Sequence, residues 1–171
     1  MYNYNGLKPY LFVKTYVFTV EHDNMTVAQL IGTRVAAIMA KKLNLNMQKD
    51  NLAVIDIMGL VDECATDNIS LDEALDGMLG SRPKIIMFSG FDNLSRMQMP
   101  GIYQDTINTV EQFMLDCDDL VFIFVETDIK KALPSWFIDS VPKYNKIDKM
   151  TAENDYKVIK NKGRVNNVFG I

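Results

Sequence analysis

Two short apolar runs, KIIMFSGFDNL at 84–94 and DLVFIFVETDIKKALP at 119–134, constrain the fold of this chain more than any other feature. The first is apolar for four residues (85–88) and the second for six (120–125), without polar alternation. Each then stops abruptly, the first at Ser89–Gly90 and the second at Glu126–Thr127–Asp128. An unbroken apolar run marks a strand buried on both faces. An abrupt polar stop is what results when the carboxyl end of a parallel strand opens onto a crevice.

The stretch between the runs carries Tyr103, Ile107, Val110 and Met114 at helical spacing, and Pro134 suits the first turn of a further helix running to about Val141. Upstream, 10–20 (YLFVKTYVFTV) reads as a strand rich in β-branched and aromatic residues. Thr26 and Gln29 match a capping box that opens a helix through Leu43, with Val27, Leu30, Ile31, Val35, Ile38 and Met39 as its buried stripe. Residues 52–58 (LAVIDIM) are another strand candidate, and Ser70 with Glu73 caps a short helix ending near Gly77–Gly80. Residues 90–101 read as a Met-rich linker. Strands alternating with helices predict an α/β fold: three layers, a mostly parallel sheet, and helices on both faces.

At 171 residues the chain has room for one domain with a substantial core. No apolar run reaches the roughly 20 residues of a membrane span. The start, MYNYNGLKPYLF, lacks the layout of a secretion signal, and Cys64 and Cys117 give no disulfide framework, so a cytoplasmic protein is expected. The net charge of −4 argues against a surface that binds nucleic acid throughout. Charge is uneven, however. Lys143, Lys146, Lys149, Lys157, Lys160, Lys162 and Arg164 outnumber the acids after position 142. This divides the chain into a body, 1–142, and a basic C-terminal arm, 143–171, that is solvated, folded back on the chain, or docked on an acidic partner.

The order of elements over about 10–142 resembles the AAA+ type of P-loop NTPase, particularly degenerate clamp-loader subunits. RVAAIMAKKLN (34–44) resembles the helix after a phosphate-binding loop, KIIMFSGFDNL the metal-site strand, and VFIFVETDIKKALPSWFIDSV the sensor strand with its following Leu-Pro helix. The resemblance implies a P-loop-NTPase-like core with a vestigial nucleotide pocket at Thr26, Thr33, Asp92 and Thr127. The chemistry of such a pocket is missing. Phosphate binding needs glycines whose amides converge on oxygen, and a lysine. The loop Glu21–Thr26 has neither and begins with Glu21 and Asp23. Registering the loop from the far end of the helix instead puts Gly32 at the lysine position and Thr33 at the magnesium-ligand position. The catalytic carboxylates fall at Ser89 and Gly90, and no arginine lies in 135–142. Asp92 reads as a helix cap or turn residue, and Thr127 as capping the strand-to-helix turn with Asp128.

Other chemistries have less support. His22, the only histidine, sits in a polar loop and reads as a surface residue. Two cysteines and one histidine show no zinc spacing. Asp62, Glu63, Asp67, Asp72, Glu73 and Asp76 read as a solvated helix face. No metal or cofactor is expected.

The expectation is therefore a non-catalytic pseudo-ATPase and interaction subunit, of a length and composition that fit a phage or mobile-element protein. By resemblance, its partner is DNA-replication or remodelling machinery: a sliding clamp, a helicase or another AAA+ ATPase. Partner contacts are expected at Met97, Met99, Tyr103 and Trp136, with Trp136 more exposed than Phe137. Lys157, Lys160 and Lys162 would steer association, and any nucleic-acid contact would run through this basic arm. The chain stops short of the lid and collar that clamp-loader subunits add. Two alternatives stand: a nucleotide- or small-ligand-binding enzyme or regulator on a flavodoxin-like sheet, using Ser89–Gly90 and Glu126–Asp128, or a structural component of a larger particle.

Overall fold

A computed structural model describes residues 16–45, 51–81, 83–97, 99–117 and 119–168, the last six of these by backbone alone. Its centre is a five-stranded sheet in the order β2-β3-β4-β1-β5, every neighbouring pair parallel. The strands are β1 (Tyr16–Glu21), β2 (Leu52–Asp56), β3 (Ile85–Ser89), β4 (Val121–Glu126) and β5 (Lys146–Ile147). The two apolar runs become β3 and β4, side by side with Ile85 opposite Val121 and Phe88 opposite Phe124. Both strands are buried at every position, as unbroken apolar runs require. The expected strand at 52–58 ends at Asp56, and positions 10–15 of the expected first strand lie outside the described residues.

Alternation along each strand sends side chains to two cores. Ile86, Phe88, Phe122 and Phe124 face α2 (Ile57–Asp67), α3 (Leu71–Met78), α4 (Phe91–Arg96), α5 (Pro100–Asp116), α6 (Ile129–Ala132) and α7 (Ser135–Ser140). Ile85, Met87, Val121, Ile123 and Val125 face α1 (Met25–Lys42) and α8 (Lys149–Val168). The result is a helix–sheet–helix sandwich. α1 lies close on the sheet at Gly32, where an added Cβ would stand 2.7 Å from Val125 Cγ2 and 2.8 Å from Met87 Sδ.

Several local expectations need correction. Asn24, not Thr26, caps α1, its side chain accepting the Thr26 and Val27 amides; Ser70 caps α3 through the Glu73 amide as expected. The buried stripe of α1 is Val27, Ala28, Ile31, Gly32, Val35, Ala36, Met39 and Ala40. Leu30 and Ile38 stand outside it, Ile38 being 55% exposed. Val27, Ile31, Val35 and Met39 are buried as expected; counting only large apolar residues added Leu30 and Ile38 and left out the Ala and Gly that the sheet-facing side uses for close approach. The supposed linker 90–101 contains α4, whose Phe91 and Leu94 are buried, and the acids at 62–67 lie exposed on helix α2, the solvated helix face that was expected. Pro134 stands at the N-cap of α7.

The segment after 142 folds back on the body. Ile147 pairs with Val20, Ala152 is buried, and Tyr156 and Ile159 pack on the second core. The Arg164 side chain and Asp118 lie outside the described residues.

Burial fixes the expected energetics. Ile31→Ala should cost about 3 kcal/mol through the cavity it leaves. Ile38→Ala should stay within about 0.5 kcal/mol of wild type. Urea unfolding followed by circular dichroism measures both, and equal losses would contradict this packing.

Candidate functional site

The strand order locates the most site-like place in the fold. From β1 the chain crosses by α1 to the far edge, works inward to β4, then leaves by α6 and α7 for β5 on the other side of β1. The connections thus diverge between β1 and β4. In open α/β sheets the crevice beyond the carboxyl ends of such strands is where ligands bind. Here those ends are Glu21 and Glu126, which are register partners.

Glu126 is fully buried. Its Oε1 accepts the Phe91 amide at 2.7 Å and its Oε2 the Asp92 amide at 3.4 Å. The carboxylate thus joins the end of β4 to the start of α4. Gly90, between β3 and α4, has φ of 88°, and a Cβ there would collide with Asp56 Oδ1, so only glycine fits. Burial pushes the Glu126 carboxyl up to about 7, against the two amide bonds that lower it, with the charges of Asp92 and Asp56 adding to the rise.

Asp92 is also buried. Arg96 holds it with two nitrogens, Nε at 3.2 Å and Nη2 at 2.9 Å, and Thr127 Oγ1 donates to it at 3.4 Å. Asp92 is therefore an ion-pair partner within the first turn of α4, neither a cap nor a turn residue. Asp128 alone caps α6, accepting the Lys131 amide.

On the other side of the reversal, β1 turns into α1 through only His22, Asp23 and Asn24. His22 Nδ1 accepts the Asn24 amide at 2.9 Å, which leaves Nε2 as the protonated nitrogen, 2.6 Å from Glu153 Oε2. Lys149 Nζ lies 2.7 Å from Asp23 Oδ1, a pairing that lowers the Asp23 carboxyl and raises the lysine. α8 is thereby pinned to the turn where a phosphate-binding loop would stand. His22 is mostly covered and serves as a latch, which corrects its reading as a surface residue. Glu21 is also committed, accepting the Ile129 amide at 2.6 Å.

The four residues of the expected nucleotide pocket divide into two pairs. Asp92 and Thr127 meet. Thr26 and Thr33 do not join them: both are exposed on α1, and Thr33 Oγ1 donates to Gln29 O. Gly32 faces the sheet, so a lysine at that position has no room to reach the crevice.

Among the expected partner-contact residues, Met99 is exposed, while Met97, Tyr103 and Trp136 are half-buried. Tyr103 donates its hydroxyl to Ala132 O at 2.6 Å. Burial, then the Glu126 charge, push its phenol up to about 12. Trp136 packs edge-on against the buried Phe137. Lys157, Lys160 and Lys162 are exposed. Asn24, two residues before Thr26 and a strong capping type, was findable in the sequence. The partners of His22 and Glu126 were not.

Among the described residues no cluster of three His, Cys, Asp or Glu side chains could hold a metal ion, and no helix is long and apolar enough to cross a membrane. The crevice thus presents carboxylates and no glycine-rich turn; of the cations beside it, Arg96 and Lys149 are paired with Asp92 and Asp23, while Lys130 and Lys146 line the cavity next to Glu21. Comparison of the chain with protein-family models, with curated proteins and with solved structures finds no match.

Glu126 makes the stability depend on pH with a defined sign. Its folded-state value lies above the ordinary 4.5. The folded protein therefore holds a proton that the unfolded chain has lost between about 4.5 and 7, and stability falls as pH rises through that window. Glu126→Gln should remove this contribution. The difference in unfolding free energy between variant and wild type should shift toward the variant by on the order of 3 kcal/mol from about pH 4.5 to about pH 8. Denaturant titrations across that range give the value, and a pH-independent difference would show that Glu126 stays ionised.

Proposed function

We propose that this chain is a non-catalytic interaction subunit built on an AAA+-type, P-loop-NTPase-like core, and that its partner belongs to DNA-replication or remodelling machinery such as a sliding clamp, a helicase or another AAA+ ATPase. The strand order supports the core assignment. The sheet places β4, which resembles the sensor strand, between β1, which resembles the phosphate-loop strand, and β3, which resembles the metal-site strand. The three strands that carry the resemblance are thereby neighbours. This order differs from the flavodoxin-like one, in which β1 stands between β2 and β3.

The observation that carries the non-catalytic reading is the turn His22–Asn24. It is short, acidic, without glycine, and occupied by the chain's own α8 contacts through Glu153 and Lys149. Ser89 and Gly90 supply no carboxylate where the resemblance would place metal and water ligands, and Glu126 is spent on the amides of α4. Of the expected contact residues, Met99 offers the most accessible soft surface, beside the more covered Met97, Tyr103 and Trp136.

A second reading, a small-ligand binder at the strand ends, is favoured by one feature. A cavity of about 440 Å³ lies at the carboxyl ends of β1 and β5, lined by Thr19, Glu21, Ile129, Ile138, Lys146 and Ile147 among others.

The purified protein should release no phosphate from ATP above the blank, with or without DNA. Turnover abolished by Asp92→Asn or Thr33→Ala would overturn the non-catalytic reading. Nucleotide binding that leaves turnover at zero would favour the second.

A further inference from the structure

Three neighbouring helices on one side of this molecule carry exposed carboxylates and, within their own length, no lysine or arginine. α2, α3 and α5 form the outer layer over the first core, and none contains a lysine or arginine. The acids of α2 (Asp62, Glu63, Asp67) and of α3 (Asp72, Glu73, Asp76) are all exposed, and among the described residues none of them is in an ion pair. α5 adds Asp105 and Asp116, also exposed. Most protein surfaces mix the two signs at this length scale. A sustained single-sign face sets up a field that reaches a Debye length into solution and attracts the opposite charge.

Within this face lies an apolar hollow of about 300 Å³, where α2, α3 and α5 converge on Val61, Cys64, Leu71 and Ile102, with Asp105 in its wall. Ile102 and Ile69 are 36% and 44% exposed, so the apolar surface continues outward from the hollow. Acidic surroundings with an apolar centre are complementary to a cationic segment carrying large apolar side chains: the charges orient the approach, and burial of the apolar group in the hollow supplies the affinity. The same field repels phosphate, so neither nucleic acid nor an anionic membrane fits here.

We propose that the α2–α3–α5 face is a docking site for a basic, amphipathic segment of a protein partner, anchored by an apolar side chain in the hollow. This deepens the reading of the chain as an interaction subunit and rests on it. The site is distinct from Trp136 and from the basic side chains of α8. Those lysines lie on the opposite helical layer.

The test uses the full chain and a fluorescein-labelled synthetic peptide with leucines and lysines at helical spacing, followed by anisotropy. Binding should weaken about tenfold when the leucines are replaced by serine, and about tenfold for Asp72→Lys with Asp105→Lys, whose exposed positions leave the core intact. Thr109→Phe, which fills the hollow from the α5 side, should weaken it by a similar factor while the salt dependence persists. Lys157→Glu with Lys160→Glu should not weaken it. Failure of the peptide to bind, equal binding of the serine peptide, or variants that bind like wild type would overturn the proposal. So would a dimer, seen by sedimentation without peptide, that disperses in the Asp72→Lys with Asp105→Lys protein, because the occupant would then be a second copy. ATP turnover would remove the non-catalytic reading but leave the peptide titration unaffected, so the two can fail separately.

Discussion

β4 is the element on which the rest of the structure depends. It is hydrogen-bonded on both edges, to β1 and to β3, and buried at all six positions. On one face its Phe124 ring lies 5.3 Å from Phe88 and 4.9 Å from Phe137, and Phe122 meets Phe113, so three separate elements close on two side chains. On the other face Val125 is approached so closely by α1 that position 32 must be glycine. A strand held this way leaves no freedom at its carboxyl end, and Glu126 follows it into the interior. Burying that carboxylate is unfavourable, and the amides of Phe91 and Asp92 offset part of the cost.

The character of the crevice follows from that burial. Glu21 is engaged by Ile129, Glu126 by α4, Asp92 by Arg96 and Thr127, and Asp23 by Lys149. Each of these four acidic groups closes a contact with another part of the chain, and together they hold α4, α6 and α8 in place.

Helices on the two faces of the sheet differ in electrical character. α1 and α8 carry exposed lysines, and α8 ties itself to the turn after β1. α2, α3 and α5 carry only acids, around an apolar hollow. Net charge conceals this separation, because a total of −4 is unremarkable for a chain of this size. What a partner meets depends on which layer it approaches.

The sequence by itself determined the class of fold. The unbroken runs at 85–89 and 121–126 cannot be stable anywhere except between two covering layers, and the Ser70 cap and the spacing of Ile107, Val110 and Met114 set helices between them. It also showed that glycine and lysine are absent from 21–26, whatever the tertiary arrangement. It placed Val27, Ile31, Val35 and Met39 correctly in the stripe of α1 but added Leu30 and Ile38, and it missed α4 inside the supposed linker, because Ala and Gly register weakly as core residues and a six-residue helix has too little periodicity to detect. Only the tertiary structure decided the roles of Glu126, Asp92 and His22. A carboxylate or an imidazole takes its role from groups within a few ångströms, and here those groups come from far along the chain: Phe91 is 35 residues from Glu126, and Glu153 is 131 residues from His22. Local sequence carries burial and periodicity. Side-chain pairing over such separations exists only once the sheet has brought the strand ends together.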